Sequence, residues 1–200
     1  LQYRSAALAG LGTQVFWGLI RVMIFQAFYR STTASQPMEV ADVVTYLWLT
    51  QAFLAMLPWN VDQDIRALIR TGGVGYELLR PLDLYGHWYS RALALRTAPT
   101  LLRSVPLLTL AGVFFGLQAP PSWASAVAFV LAMVGAILLS SAITTLLNIS
   151  LMWTTSGDGI VVSMTAIVML GSGMLVPLPF FPDWAQVALN ALPFSGLVDT

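Results

Sequence analysis

Residues 65–95 read IRALIRTGGVGYELLRPLDLYGHWYSRALAL, and they form the one long charged segment of an otherwise apolar chain. Four arginines lie inside this segment, and Arg96 follows it directly. Apolar runs long enough to cross a bilayer lie on both sides of it. A polar segment of this length beside membrane spans indicates a surface that meets a soluble partner.

The composition indicates a membrane protein. Of the 200 residues, 58% are hydrophobic and only 9% are charged, whereas soluble domains carry about 25% charged residues. The net charge is zero, which gives no reason to expect a nucleic-acid partner. The absence of Cys excludes disulfides, and a single His among scattered Asp residues predicts no metal site.

The chain contains no Lys, and a P-loop needs a Lys to reach the phosphates of a nucleotide. Residues 72–75 are rich in Gly, but no Lys-Ser or Lys-Thr follows them. We therefore predict that the chain is not an enzyme and that a separate chain hydrolyses any ATP that drives it.

Five apolar runs predict an all-α polytopic membrane protein, since a helix of about 20 residues crosses the hydrocarbon core. The predicted spans cover residues 6–28, 43–60, 97–117, 123–147 and 160–176. The segment 177–200 begins with three closely spaced prolines and cannot continue a regular helix. We expect it to form short surface or re-entrant helices that pack on protein.

The distribution of Arg predicts the orientation. Six Arg lie between residues 61 and 103, and Arg4 falls on the same side because two spans separate it from them; Arg30 lies opposite. Positive residues are enriched in cytoplasmic loops. The N-terminus and the loop 61–98 are therefore predicted to be cytoplasmic, and the segment 177–200 to lie outside.

Arg21 falls inside the first predicted span, where a charged side chain is costly. One interpretation is a residue on a translocation path, facing a partner or a water-filled cavity. The other is a side chain that snorkels to the interface near Arg30. The sequence leaves both open.

Within the long loop, residues 75–80 can form a short helix that Pro81 ends. Asp83 is a good N-cap for the next helix, which we expect to lie in the membrane interface before the third span. In that span, Gly112 and Gly116 match the small-xxx-small pattern of helix contacts.

The loop resembles the first cytoplasmic loop of type-2 ABC transporter permeases. The resemblance rests on a polar turn after the second span and on the seven positions Gly75, Tyr76, Glu77, Leu78, Leu79, Arg80 and Pro81. The Leu-Leu-Arg-Pro-Leu form and the aromatic-rich helix after it are similar to uncharacterised or viologen-exporter-like permeases.

The resemblance implies a single permease domain over residues 1–200, with five spans of a six-helix unit and short extracellular re-entrant helices. The sixth span and a cytoplasmic N-terminal helix are missing, so we expect truncation at both ends. Such permeases lie in the cell membrane and pair with an identical or related permease. They also bind ABC ATPase subunits, which carry the ATP and Mg²⁺. The seven positions would be the coupling helix that sits on the ATPase.

Three functions stay open. The first is a permease subunit of an ABC exporter for a hydrophobic or amphiphilic small molecule. Spans rich in aromatic residues and Met would give the transport path apolar walls, which suit a hydrophobic or cationic amphiphile. The others are a secondary transporter and a non-transporting scaffold subunit. For the loop itself, the alternative to coupling is packing on its own membrane domain.

Overall fold

A computed structural model describes residues 2–154 and 157–198, without the side chains of residues 2–7 and 158. The side chain of Arg4, which we count with the cytoplasmic arginines, therefore lies outside the description. The described residues form helices and turns without strands, which confirms the all-α prediction. The α-helices are α1 (Gln2–Ser31), α2 (Val40–Ala52), α3 (Gln63–Arg70), α4 (Val74–Leu78), α5 (Leu84–Phe115), α6 (Trp123–Ser150), α7 (Asp158–Gly171) and α8 (Asp183–Ala191).

Three of these helices, α1, α5 and α6, are long and apolar enough to cross a membrane. They correspond to the first, third and fourth predicted spans. The 28 residues of α6 give a length of about 42 Å, close to the thickness of a bilayer with its headgroups. Trp123 begins α6 and Trp153 lies just beyond its end, and both are exposed. Tryptophans at both ends fit the two interfacial belts of a membrane.

The second and fifth predicted spans contain shorter helices. The 13 residues of α2 and the 14 of α7 each reach about 20 Å, less than the hydrocarbon core. After α2 the chain makes a 3₁₀ turn at Leu54–Met56 and becomes extended at Leu57, as expected for the residue before Pro58. Both spans would therefore cross as interrupted elements, and five crossings stay a prediction.

Helix α5 is continuous over 32 residues and contains both the third span and the helix that we expected to precede it in the interface. The separate interfacial helix is therefore not observed. The side chain of Asp83 does cap α5, because it accepts a 2.7 Å hydrogen bond from the backbone N–H of Gly86. A change from polar to apolar residues near Thr97 marks a change of surroundings along one helix and does not require a break.

The main core lies where α1, α2 and α5 pack together. It contains Val22, Val43, Val44, Leu47, Trp48, Ala52, Leu107 and Ala111. Gly18 lets α1 approach α2 closely, since a Cβ at this position would lie 2.8 Å from the ring of Trp48. The predicted contact glycine Gly116 instead ends α5 with a φ of 61°, a conformation that favours glycine.

Contacts between elements define two ends of the bundle. At the far end, which contains residues 32–39, 116–122 and 178–182, the Phe180 ring packs on Phe25 with centroids 5.8 Å apart, and the Gln118 N–H donates to the Thr45 hydroxyl. At the charged end, which contains residues 61–83 and 148–154, the Asp62 N–H donates to the Asn148 side chain at 3.0 Å. The long loop thus packs against the end of α6.

Candidate functional site

Asp62 organises the charged end. Its carboxylate caps α3 by accepting hydrogen bonds from the backbone N–H groups of Asp64 at 2.9 Å and Ile65 at 3.4 Å. The same carboxylate forms an ion pair with Arg91 of α5, which also contacts Asp64. Arg91 thereby joins α3 to α5, and Asp62 is the residue that links them.

The short helix predicted at residues 75–80 is present, shifted toward the N-terminus. Helix α4 covers Val74–Leu78, and a turn follows in which the Arg80 N–H donates to the Glu77 carbonyl at 3.1 Å. Val74 is buried against Ile65 and Trp88, and it holds α4 on the bundle. The α4 segment therefore has one buried anchor and a largely exposed remainder.

Six of the seven positions with which we associate coupling are exposed. Tyr76 is 77% exposed and Leu79 is 82% exposed. The other exposed members are Gly75, Leu78, Arg80 and Pro81. These residues present apolar side chains beside a charged one, a composition suited to contact with another protein.

Glu77 differs from its neighbours because it is half-buried and bonded to α5. Its Oε2 accepts a 3.0 Å hydrogen bond from Nε1 of Trp88, whose indole is buried. The sequence gave no sign of this bond, because the two residues lie 11 positions apart across a loop.

Arg21 extends from α1 toward two other elements. It donates to the Thr50 hydroxyl of α2 at 2.9 Å and to the backbone carbonyls of Met174 and Leu175, which follow α7. The structure therefore brings Arg21 together with bundle partners. Its place on a translocation path stays a prediction.

A cavity of about 750 Å³ lies beside Arg21. Helix α1, residues 51–59 at and after the end of α2, and residues 169–180 at and after the end of α7 line it, and one side of it is open. Its walls are largely apolar, with five aromatic residues: Trp17, Phe25, Phe28, Trp59 and Phe180. Gln14 and Gln51 give it a polar region, and the buried Oε1 atom of each has no hydrogen-bond partner among the described residues. A volume of this size falls within the range of pockets that hold drug-sized molecules.

Arg96 is a structural residue that sequence reasoning missed. We counted it with the charges of the cytoplasmic loop, yet it is only 6% exposed. Its guanidinium donates to the Thr144 hydroxyl of α6 at 3.1 Å, to Asn60 Oδ1 at 2.8 Å and to the Ala55 carbonyl at 3.4 Å. Arg96 thereby supplies hydrogen bonds to the interrupted segment after α2. The polar residues Thr144 and Asn148 on α6 were the only signal in the sequence that could have indicated polar contacts at this depth.

Within residues 2–154 and 157–198, no group of three or more His, Cys, Asp or Glu side chains has an arrangement that could hold a metal ion. Asp62 and Asp64 instead contact Arg91, and Asp62 also accepts from backbone N–H groups.

A comparison with known protein families matches residues 15–198 to the family described as ABC-2 family transporter protein. The matched range includes Arg21, α4 and Arg96. No curated protein and no solved structure matches the chain.

Proposed function

The chain belongs to the family of ABC-2 transporter proteins. We propose that it exports a hydrophobic or amphiphilic small molecule and that ATP hydrolysis by a separate ATPase subunit drives this transport. Family membership makes the chain a multi-pass permease subunit of an ABC transporter and implies association with an ABC ATPase and a membrane. The resemblance to type-2 ABC permeases is thereby confirmed. Similarity to the viologen-exporter-like subgroup stays a prediction.

In the proposed orientation, the charged end faces the cytoplasm of the cell and the far end faces outside. The concentration of Arg between residues 61 and 103 supports this orientation through the positive-inside tendency. The packing of residues 61–83 against the end of α6 supports a compact cytoplasmic surface. The ATPase, with its ATP and Mg²⁺, would bind at this surface.

The observation that carries the proposal is the exposure of Leu79 and Tyr76 on a segment anchored by Val74. The Leu79 side chain is 82% exposed and lies outside the spans, so a partner that covers it lowers the free energy of the complex by removing apolar surface from water. Glu77 and Arg80 flank these side chains and can set the register of the partner. We therefore propose residues 75–81 as the ATPase contact.

The contacts behind α4 support its role as a transmitter of movement. Glu77 is bonded to Trp88 of α5, and Asp62 at the start of α3 is paired with Arg91 of the same helix. When ATP binding closes a pair of ATPases, elements that dock on them move as rigid bodies. A displacement of α4 would therefore reach α5, which extends to the far end of the bundle.

We further propose that the permease works as a pair. Helix α1 leaves Phe16, Trp17 and Met23 exposed beside the cavity. A second permease subunit on this face would cover these side chains and close the cavity against lipid. The partner can be a second copy of this chain or a related permease.

A secondary transporter is the alternative with a specific observation in its favour. Arg21 lies next to the interrupted end of α2, and interrupted helices near a charged residue are typical of such transporters. The two functions differ in their energy source. Transport that needs ATP and a captured ATPase supports the ABC exporter, and transport driven by an ion gradient alone contradicts it. A non-transporting scaffold subunit would show no transport with either energy source.

The test is the variant Leu79→Asp, which puts a charge into the proposed apolar contact. The matched control is Val187→Asp on α8, which is 75% exposed and lies outside the cytoplasmic loop. Capture of the ABC ATPase and transport are measured in the same vesicles. We expect Leu79→Asp to reach the membrane and to lose ATPase capture or transport by about tenfold or more, because a charge at an apolar hot spot costs about 2 kcal/mol. Wild-type capture and transport by Leu79→Asp would contradict the proposed contact, as would an equal loss in Val187→Asp.

A further inference from the structure

The cavity beside Arg21 has an unbalanced charge. Among the described residues that line it, Arg21 is the single charged one, and none of them is acidic. The hydrogen bonds that Arg21 makes go to the Thr50 hydroxyl and to two backbone carbonyls, all of them uncharged. These partners orient the guanidinium, and within residues 2–154 and 157–198 no acidic side chain pairs with its positive charge in the apolar wall.

Such a charge selects ligands by sign. In surroundings with a low dielectric constant, an anion near Arg21 is attracted strongly and a cation is repelled. A guanidinium also binds carboxylate, sulfonate or phosphate oxygens with a geometry that an uncharged ligand cannot use. The charge therefore argues against the cationic amphiphile that apolar walls alone allow.

The lining residues of α1 give the ligand a shape. Thr13 and Phe28 mark the two extremes along the helix, 15 residues or about 22 Å apart, with Arg21 near the middle. The aromatic walls flank Arg21 on both sides, and Gln14 and Gln51 add polar groups toward one end. An occupant that satisfies all of these features has an acidic group near Arg21 and an apolar body that extends along the aromatic side chains.

We infer that this cavity binds an anionic amphiphile, and that Arg21 determines its specificity for the negative charge. The inference rests on the proposed function, since it names the class of molecule that the permease would carry. A cargo molecule and an acidic membrane lipid share this chemistry, and the experiment distinguishes them.

The experiment uses the full chain in nanodiscs of phosphatidylcholine, without ATPase or ATP. The probe is 11-(dansylamino)undecanoic acid, and its methyl ester is the uncharged counterpart of the same length. Energy transfer to the dansyl group from the seven tryptophans of the chain, of which Trp17 and Trp59 line the cavity, reports binding. The transfer that remains in the presence of excess undecanoic acid, which carries no dansyl group, comes from probe in the lipid and is subtracted. We expect the acid to bind at least tenfold more tightly than the ester.

Three variants test the role of Arg21. Arg21→Gln should remove the preference for the acid, whereas Arg21→Lys should keep most of it, because the charge remains. Arg30→Gln is the matched control, since Arg30 lies on the same helix but does not line the cavity. Equal affinity of the wild type for acid and ester would overturn the inference, as would an unchanged preference in Arg21→Gln.

The wild-type comparison of acid with ester needs no variant, so it decides the inference even if Arg21→Gln fails to fold. Phosphatidylglycerol added to the nanodiscs separates the two sources of ligand. If this lipid displaces the dansyl acid, the cavity binds an anionic membrane lipid. If the dansyl acid stays bound in its presence, the cavity binds a smaller anionic cargo molecule. Failure of the anion preference with normal ATPase capture would overturn this inference alone and leave the proposed coupling intact.

Discussion

The buried indole of Trp88 donates a 3.0 Å hydrogen bond to the carboxylate of Glu77, and this bond joins the exposed helix α4 to the long helix α5. The contact lies between an element anchored by Val74 and a helix that continues for 32 residues. Because the donor is buried, the bond is shielded from competition with water. It makes α4 and the start of α5 a single mechanical unit.

We expect Trp88→Phe to weaken this unit. The ring remains apolar, but Glu77 loses its donor, which costs about 1 kcal/mol for a half-buried acceptor. Transport per ATP hydrolysed should fall, whereas capture of the ATPase should persist because Tyr76 and Leu79 are unchanged. Transport and ATP hydrolysis measured in the same vesicles check the result.

Two controls accompany this variant. Trp153→Phe changes an exposed tryptophan at the same end of the bundle and should leave the ratio of transport to ATP hydrolysis unchanged. Glu77→Gln keeps a side-chain oxygen for the indole and should lie between the wild type and Trp88→Phe. An unaltered ratio in Trp88→Phe would show that the bond does not transmit movement.

The sequence predicted the elements that depend on local composition. The long apolar runs of α1 and α6 and the cap at Asp83 follow from hydropathy and from the preference of Asp for N-caps. The start of the helix at Asp83 was predicted, but its continuity with the third span was not, because a change in polarity at Thr97 looks like a boundary between two helices. The bonds of Arg96 and Trp88 were inaccessible, since they join residues far apart in the chain.

The cavity illustrates the same division. Arg21 was identified from its position in an apolar run, and its depth is a property of the local sequence. The residues that line it come from α1, from residues 51–59 at and after the end of α2, and from residues 169–180 at and after the end of α7. A single sequence carries no record of which segments meet in space. The charge balance of the cavity, and hence the preferred sign of its ligand, therefore needed the fold.

The ion pair between Asp62 and Arg91 gives a second prediction, on stability. The Asp62 side chain is 5% exposed and that of Arg91 is 37% exposed, so the pair is partly shielded from water. Asp62→Asn can still cap α3 but loses the charge, and we expect a loss of about 1–2 kcal/mol, less than for a fully buried pair.

A double-mutant cycle with Arg91→Gln measures the interaction itself. We expect the double variant to lose less stability than the sum of the two single variants, with a coupling energy of about 1 kcal/mol. Thermal unfolding in detergent provides the measurement. Strict additivity would mean that the contact contributes nothing to stability, because the single losses would then arise from separate causes.

The close approach of α1 and α2 at Gly18 gives a third prediction. A methyl group at this position would lie 2.8 Å from the ring of Trp48, which is fully buried. Gly18→Ala should therefore destabilise the protein by about 1–3 kcal/mol through overpacking. The fraction of monodisperse protein that remains after heating reports the change.

Gly12→Ala is the matched control on the same helix, because nothing lies within 4 Å of a Cβ at Gly12. In this case only helix propensity acts, and it favours alanine by up to about 1 kcal/mol. The two substitutions should therefore have opposite signs. A loss of stability in Gly12→Ala as large as that in Gly18→Ala would contradict the close contact between the helices.

The last prediction concerns the orientation of the two ends. The chain has no Cys, so single cysteines can be introduced without background. Arg70 and Asp183 are both exposed; Arg70 ends α3 in the long loop, and Asp183 begins α8 after the segment that packs at the far end. With five crossings and a cytoplasmic charged end, Arg70→Cys and Asp183→Cys should react from opposite sides of the membrane. A membrane-impermeant maleimide added to intact cells should label only Asp183→Cys, and the same reagent after permeabilisation should label both.

Labelling of both variants in intact cells, or of neither, would contradict the five-span orientation, because two sites on the same side require an even number of crossings between them. Labelling of Arg70→Cys alone would keep the number of crossings odd and reverse the orientation, and it would place the proposed ATPase contact outside the cell, where no ATPase could reach it.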